Sequence, residues 1–206
     1  MLGRADVSRG SCRASARSVS GARLRTISPF DDAPIVTERL ILRVPQSRDR
    51  AAVHAMWADP RVMADLGPVK SAAESDAALA RHAAYAPLGF RVIELRDGGA
   101  AIGFCGLKPG ASDTPIAGMI EIGWMLATDY WGQGYAREAA DATLDWGWAV
   151  RDAAAIVAIT AERNVKSRGL MERLGMRHDL AMTFDHPLFA LDDPRRRTVT
   201  YRIDRP

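Results

Sequence analysis

The sequence predicts a mixed α/β fold on two observations. Apolar residues recur with period two in some segments and with the helical period in others, and the two kinds are interleaved along the chain. The run Ala155-Ile156-Val157-Ala158-Ile159-Thr160-Ala161 is continuously apolar and rich in β-branched residues, as expected for a central strand covered on both faces.

Order is expected from Ile35, because Arg39-Leu40-Ile41-Leu42-Arg43-Val44 alternates polar and apolar residues like a half-buried strand. Ser47 is placed to cap a helix through about Ala58, with Val53, Met56 and Trp57 on its apolar side and Asp59-Pro60 stopping it. Ser71 and Glu74 have capping-box spacing and open a second helix running to about Tyr85. Phe90 to Leu95 and Ala101 to Leu107 flank Asp97-Gly98-Gly99 and read as an antiparallel hairpin. A strand from about Met119 to Leu126 puts Met119, Glu121, Gly123 and Met125 on one face and Ile120, Ile122, Trp124 and Leu126 on the other. The helix expected from Tyr135 to about Val150 has Ala136, Ala140, Leu144 and Trp148 as its buried stripe, with Glu138, Asp141 and Asp145 facing away. After the central strand, a short helix from Asn164 to Leu174 ends at Gly175, and strands near Met176 to Phe184 and Thr198 to Ile203 close the sheet.

With 206 residues, 48% of them hydrophobic and 26% charged, residues 31–206 are expected to form one domain. Residues 1–30 carry Arg4, Arg9, Arg13, Arg17, Arg23 and Arg25 against Asp6 alone and show no apolar stripe. They are expected to be a disordered Arg/Ser-rich tail, either a transit peptide or translation upstream of the real start. Removing those six positive charges and one negative charge takes the formal net charge from +3 to −2, which argues against nucleic acid as a partner. The trio Arg195-Arg196-Arg197 reads as a solvated turn or strand entrance. No apolar run reaches the roughly 18 to 20 residues that cross a bilayer, so a membrane partner is not expected. Cys12 and Cys105 lie far apart without metal-ligand spacing, and His54, His82, His178 and His186 lack helical pairing. No metal is expected, and the cysteine usage fits a reducing, cytoplasmic location.

The loop between Leu126 and Tyr135 carries the chemistry. It follows a strand and opens a helix, whose first turn presents unpaired N–H groups and a partial positive charge. Gly132 and Gly134 keep side chains out of the way of a diphosphate and Ala136 keeps the first turn slim. A glycine pair alone also makes ordinary turns, so the succession of strand, loop, helix and second strand, with Asn164 just beyond, is what specifies the reading.

Tyr130-Trp131-Gly132-Gln133-Gly134-Tyr135-Ala136 resembles the acyl-CoA loop of the GNAT superfamily, in the form carried by ribosomal-protein N-terminal acetyltransferases. The superfamily's leading Arg or Gln is replaced by Trp131. The resemblance extends over Thr37-Glu38-Arg39-Leu40-Ile41-Leu42-Arg43, Glu121-Ile122-Gly123-Trp124 and Asn164 through Gly175-Met176, covering residues 35 to 203. It implies a mostly antiparallel sheet splayed at its two central strands and flanked by about four helices. It implies too that acetyl-CoA is the cosubstrate, that Met125, Leu126 and Ala127 offer backbone groups to the pantetheine arm and thioester, that Trp131, Gly132, Gln133, Gly134, Tyr135 and Ala136 receive the pyrophosphate, and that Asn164 helps hold the CoA arm.

Acetyl transfer to an amine needs a proton acceptor, and Glu121, on the face of Gly123 and Met125, is the candidate; its alternative is a solvated carboxylate on an open sheet face. Many GNAT enzymes place a proton-donating tyrosine seven residues after the asparagine, where this chain has Met171, which cannot donate. Ser167 is the substitute acid implied by the similar branch, its alternative being a packed hydroxyl. Trp57, Trp124, Trp146 and Trp148 line either an acceptor pocket or the core, and His178 and His186 either the cleft or solvated loops. The expected activity is acetyl transfer to a primary amine by direct attack in a ternary complex; the alternative is a catalytically silent acyl-CoA sensor. The acceptor is expected to be a small molecule or a protein N-terminus. An exposed sheet edge near the C-terminus offers a place for a second copy to form a homodimer.

Overall fold

Eight strands make one sheet in the order β1-β2-β3-β4-β5-β6-β8-β7 in a computed structural model that describes residues 33–206. The Arg-rich tail read from residues 1–30 lies outside the described residues. The strands are β1 (Ile35–Val36), β2 (Leu40–Arg43), β3 (Gly89–Leu95), β4 (Ala101–Pro109), β5 (Ile120–Leu126), β6 (Ala155–Ala161), β7 (Arg177–Asp185) and β8 (Arg197–Asp204). Every neighbouring pair is antiparallel except β5 and β6, which are parallel. That one parallel pair is joined through helix α4 (Tyr135–Val150), the crossover that parallel strands require.

Four further helices, α1 (Arg50–Ala58), α2 (Pro60–Met63), α3 (Ala72–Ala83) and α5 (Val165–Arg173), complete the layers. Two clusters of buried side chains lie on opposite faces of the sheet. Val53, Met56, Trp57, Val62 and Met63 from α1 and α2 pack with Val92, Phe104 and Met125 on one face. On the other, Ala140 and Leu144 of α4 and Leu170 and Met171 of α5 pack with Leu107, Ile122 and Ile156. Each large aliphatic side chain buried this way contributes roughly 1.5–3 kcal/mol.

The helices follow local chemistry, with four differences from the sequence reading. Ser71 accepts from the Glu74 N–H at 3.3 Å while Glu74 accepts from the Ser71 N–H at 2.7 Å, the expected capping box. Ser47, however, opens a 3-10 turn over Ser47–Asp49, because the Asp49 carboxylate, held by Arg43 at 2.7 Å, accepts from the Gln46 N–H. Asp59-Pro60 ends α1 and also starts α2, since Asp59 accepts from the Arg61 N–H at 2.8 Å and Pro60 needs no donor in the first turn. The buried stripe of α4 runs through Ala139, Ala140, Thr143, Leu144 and Gly147, leaving Ala136 and Trp148 half-buried. Glu138 does not face away: it accepts from Thr37 Oγ1 at 2.6 Å and from Arg39 Nε at 2.6 Å, tying α4 to the start of β2. β7 lies at the C-terminal edge of the sheet. Among the described residues no helix is long and apolar enough to cross a membrane.

Candidate active site

The segment from Leu126 to Tyr135 leaves β5, makes a 3-10 turn over Thr128–Tyr130 and enters α4 with Gly134 as its N-cap. Gly132 at φ +76° and Gly134 at φ +84° hold left-handed backbone, where a β-carbon is strained. Nothing lies within 4 Å of the place a β-carbon would take at Gly132, so its glycine answers to the backbone turn. No side chain caps the helix start, which leaves its first-turn N–H groups facing outward between exposed residues 131–134. An uncapped helix start beneath two left-handed glycines fits a diphosphate, because main-chain donors reach the anion with no side chain in between.

The side chains of this loop brace it. Trp131, 38% exposed, donates from Nε1 to the Leu126 carbonyl at 2.9 Å, and the Lys166 ammonium lies 4.4 Å from its ring centre. Gln133 Nε2 donates to the Asp129 carbonyl at 2.9 Å. Arg39 reaches from the bend before β2, donating to the Gln133 carbonyl at 3.0 Å and covering the Tyr135 ring at 4.5 Å. Of the positions read as diphosphate-binding, Gly132, Gly134, Tyr135 and Ala136 form the helix entrance itself, while Trp131 and Gln133 set the loop's shape.

β5 and β6 pair only at Ile120↔Ile156 and Glu121↔Val157 and then part. Ala127 donates its N–H to the Ile102 carbonyl of β4 at 2.9 Å, on the same side as Met125. By strand alternation, the N–H and carbonyl of Leu126 point away from β4 and into the gap. Asn164 stands where β6 leads into α5: it accepts from the Ser167 N–H at 3.1 Å and donates to Thr160 Oγ1 at 2.9 Å. Each half of that amide has capacity for one more bond. Ser167 is half-buried one turn into α5, above the buried Met171 and Leu174 as its spacing predicted.

Glu121 is on the α1–α3 face of the sheet, 6% exposed, and ion-paired to Lys108 of β4, to which it is also register partner. It is thus no solvated carboxylate on an open face. Burial raises its carboxyl above the usual range and Lys108 only partly offsets this, so the group holds a proton more readily than an exposed glutamate. Next along the face, Gly106 pairs with Gly123, leaving a floor without side chains. The Phe90 ring leans over this floor, 3.0 Å from where a β-carbon of Gly123 would sit, and stacks on His82 of α3 with ring centres 3.9 Å apart. His82 Nδ1 is buried with no hydrogen-bond partner among the described residues. Burial first, then the charges of Lys108 and Arg81, push that imidazole down to about 4, so it is neutral at pH 7. His186, in the β7–β8 connection, is lowered by burial and by Lys108 against the opposing pull of Asp113.

A cavity of about 600 Å³ shares His82 and Phe90 with this cluster and is also lined by Ser47, Arg50, Asp76 and Leu88. Lys108, His82, Phe90 and Gly106 were not singled out as site residues by sequence reasoning. Only the strand register puts Lys108 beside Glu121, and only the packing of α3 puts His82 over Phe90. Among the described residues no group of three or more His, Cys, Asp or Glu is arranged to hold a metal ion.

Residues 39–177 match the acetyltransferase (GNAT) domain family. The protein YkkB of Bacillus subtilis (strain 168) is 30% identical over 148 residues, covering 70% of this chain and 85% of YkkB. The crystal structure of an acetyltransferase from Agrobacterium tumefaciens str. C58 is similar with a TM-score of 0.69 at 28% identity, over 85% of this chain and 96% of that one. A spermidine N-acetyltransferase from Vibrio cholerae, in complex with CoA and spermine, shares the fold with a TM-score of 0.66 at 19% identity, over 82% of this chain and 96% of that one.

Proposed function

Because the chain belongs to the GNAT acetyltransferase family, we propose that it moves an acetyl group from acetyl-CoA to a primary amine by direct attack within a ternary complex. The observation that carries this reading is the uncapped start of α4 at Gly134, on the edge of the gap where β5 and β6 part. Acetyl-CoA supplies the activated thioester. The first-turn N–H groups of α4 and the glycines Gly132 and Gly134 hold its diphosphate, and Asn164 uses its remaining bonding capacity on the pantetheine arm. The Leu126 N–H, directed into the gap, donates to the oxyanion that develops on the carbonyl. Glu121 accepts the proton lost by the amine as the C–N bond forms, directly or through water, a role suited to a carboxyl whose proton affinity burial has raised. As the C–S bond breaks, the departing thiolate takes a proton from Ser167 or from water.

A second reading, an acyl-CoA sensor without turnover, is favoured by the ion pair that already engages Glu121 and by Met171 at the position where the family commonly has tyrosine. One assay separates the two. Release of free thiol from acetyl-CoA that depends on an added amine supports the enzyme; tight CoA binding with no release across a broad amine panel supports the sensor.

A further inference from the structure

Lys108 and Glu121 sit side by side on β4 and β5 with opposite charges cancelled. Resting on the amine-acetylation reading above, we propose that Lys108 is a specificity-determining residue: it selects acceptors that carry a carboxylate next to the reacting amine, of the amino-acid class, over polycationic amines.

An ammonium approaching Glu121 meets a carboxylate whose charge is already answered. The neighbouring titratable groups are His82 from α3, His186 from the β7–β8 connection, and Asp113 beside His186. Burial together with the Lys108 charge holds both imidazoles toward their neutral form, and Asp113 is exposed. Asp76 in the adjoining cavity is taken up by an ion pair with Arg50. Among these groups a polyamine therefore finds only the exposed Asp113, whereas its several ammonium groups require several spaced, unanswered carboxylates.

An amino acid finds both its partners. A lysine ammonium has three donors, of which Glu121 occupies one, and the Lys108 side chain is 23% exposed, so a second carboxylate has access to it. The amine and carboxylate of an amino acid are separated by very few bonds, matching the adjacency of Glu121 and Lys108. Bound so, the four charges alternate in sign, and the acceptor's carboxylate draws Lys108 partly away from the carboxylate that has to take the proton.

The test measures thiol release from acetyl-CoA with three acceptors: a panel of amino acids, their carboxamides and spermidine, each corrected for its fraction of free amine. The unaltered chain is expected to favour amino acids over their carboxamides by about ten-fold or more in kcat/KM, mainly through KM, and to use spermidine worst. In Lys108→Gln that ratio falls towards one; in Lys108→Arg it survives. The proposal is overturned if the unaltered chain shows no preference for the carboxylate, if it prefers spermidine, or if the preference persists in Lys108→Gln. Should Lys108→Gln not fold, the ratios on the unaltered chain and on Lys108→Arg still decide. Transfer to spermidine or carboxamides would overturn the selectivity while sparing the amine-acetylation reading, whereas no thiol release with any acceptor would overturn both.

Discussion

Arg39 donates from Nη1 to the main-chain carbonyl of Gln133 at 3.0 Å, joining the bend before β2 to the candidate acyl-CoA loop across 94 positions of sequence. The same guanidinium is ion-paired to Glu138 at 2.6 Å and lies over Tyr135, so it touches the loop, the first turn of α4 and an aromatic ring at once. Arg39 is thereby a positioning residue for the loop. Arg39→Met is expected to raise KM for acetyl-CoA by about three- to ten-fold with kcat little changed, and Arg39→Lys to rescue it poorly, because an ammonium cannot reproduce the planar fork. Equal falls in kcat and kcat/KM would place the residue elsewhere in the reaction.

Gly134 is asked for two things at once, a φ of +84° and an open helix start. A β-carbon there would be strained and would sit 3.4 Å from the Arg39 guanidinium. Gly134→Val is expected to weaken CoA binding at least about ten-fold and to cost roughly 1–2 kcal/mol of stability from the left-handed backbone. Titration calorimetry with CoA measures the first and urea unfolding the second; unaltered CoA affinity would remove the cradle from the site.

Glu121 is expected to set the acid limb of the rate profile. Its proton affinity is raised by burial, so kcat/KM should fall as pH drops through a value above that of an exposed glutamate. Glu121→Gln is expected to lose that limb and to slow transfer by about 10²-fold or more. A variant with the same rate and the same acid limb would leave water as the only proton acceptor.

His82 gives a prediction about stability. Its folded value of about 4 lies below the ordinary 6.5, so between these the unfolded chain binds the extra proton and stability falls as pH drops. From pH 7 to pH 4.5 this one group removes about 2 kcal/mol. Urea unfolding at both values should show a loss smaller by that amount in His82→Gln than in the unaltered chain. An identical loss in both would mean that His82 is not held neutral.

Much of the fold could be read from the chain because its signals are local. The Ser71–Glu74 capping box, the limits of α4 and β6 and the Gly175 stop depend on neighbours within a few residues, and each falls where its spacing put it. The stripe of α4 is a different case. Glu138 was expected to face solvent, and it is drawn inward by Thr37 and Arg39 from the start of β2, partners that no helical period can reveal. Of the site, the glycine turn and Asn164 were legible as types and spacings. That the Asn164 amide caps α5 and holds Thr160, or that Trp131 ties back to the Leu126 carbonyl, was not.

By itself, then, the sequence determined the mixed α/β class, the family resemblance and the glycine-lined entrance to α4, since left-handed backbone and uncapped helix donors are properties of a short stretch of chain. Tertiary structure alone decided the state of Glu121. Its partner Lys108 arrives through the antiparallel register of β4 and β5, and its burial, to 6% exposure, comes only with the packed sheet. Proton affinity depends on which charges and how much water surround a group in space, and those surroundings exist only once distant segments have packed.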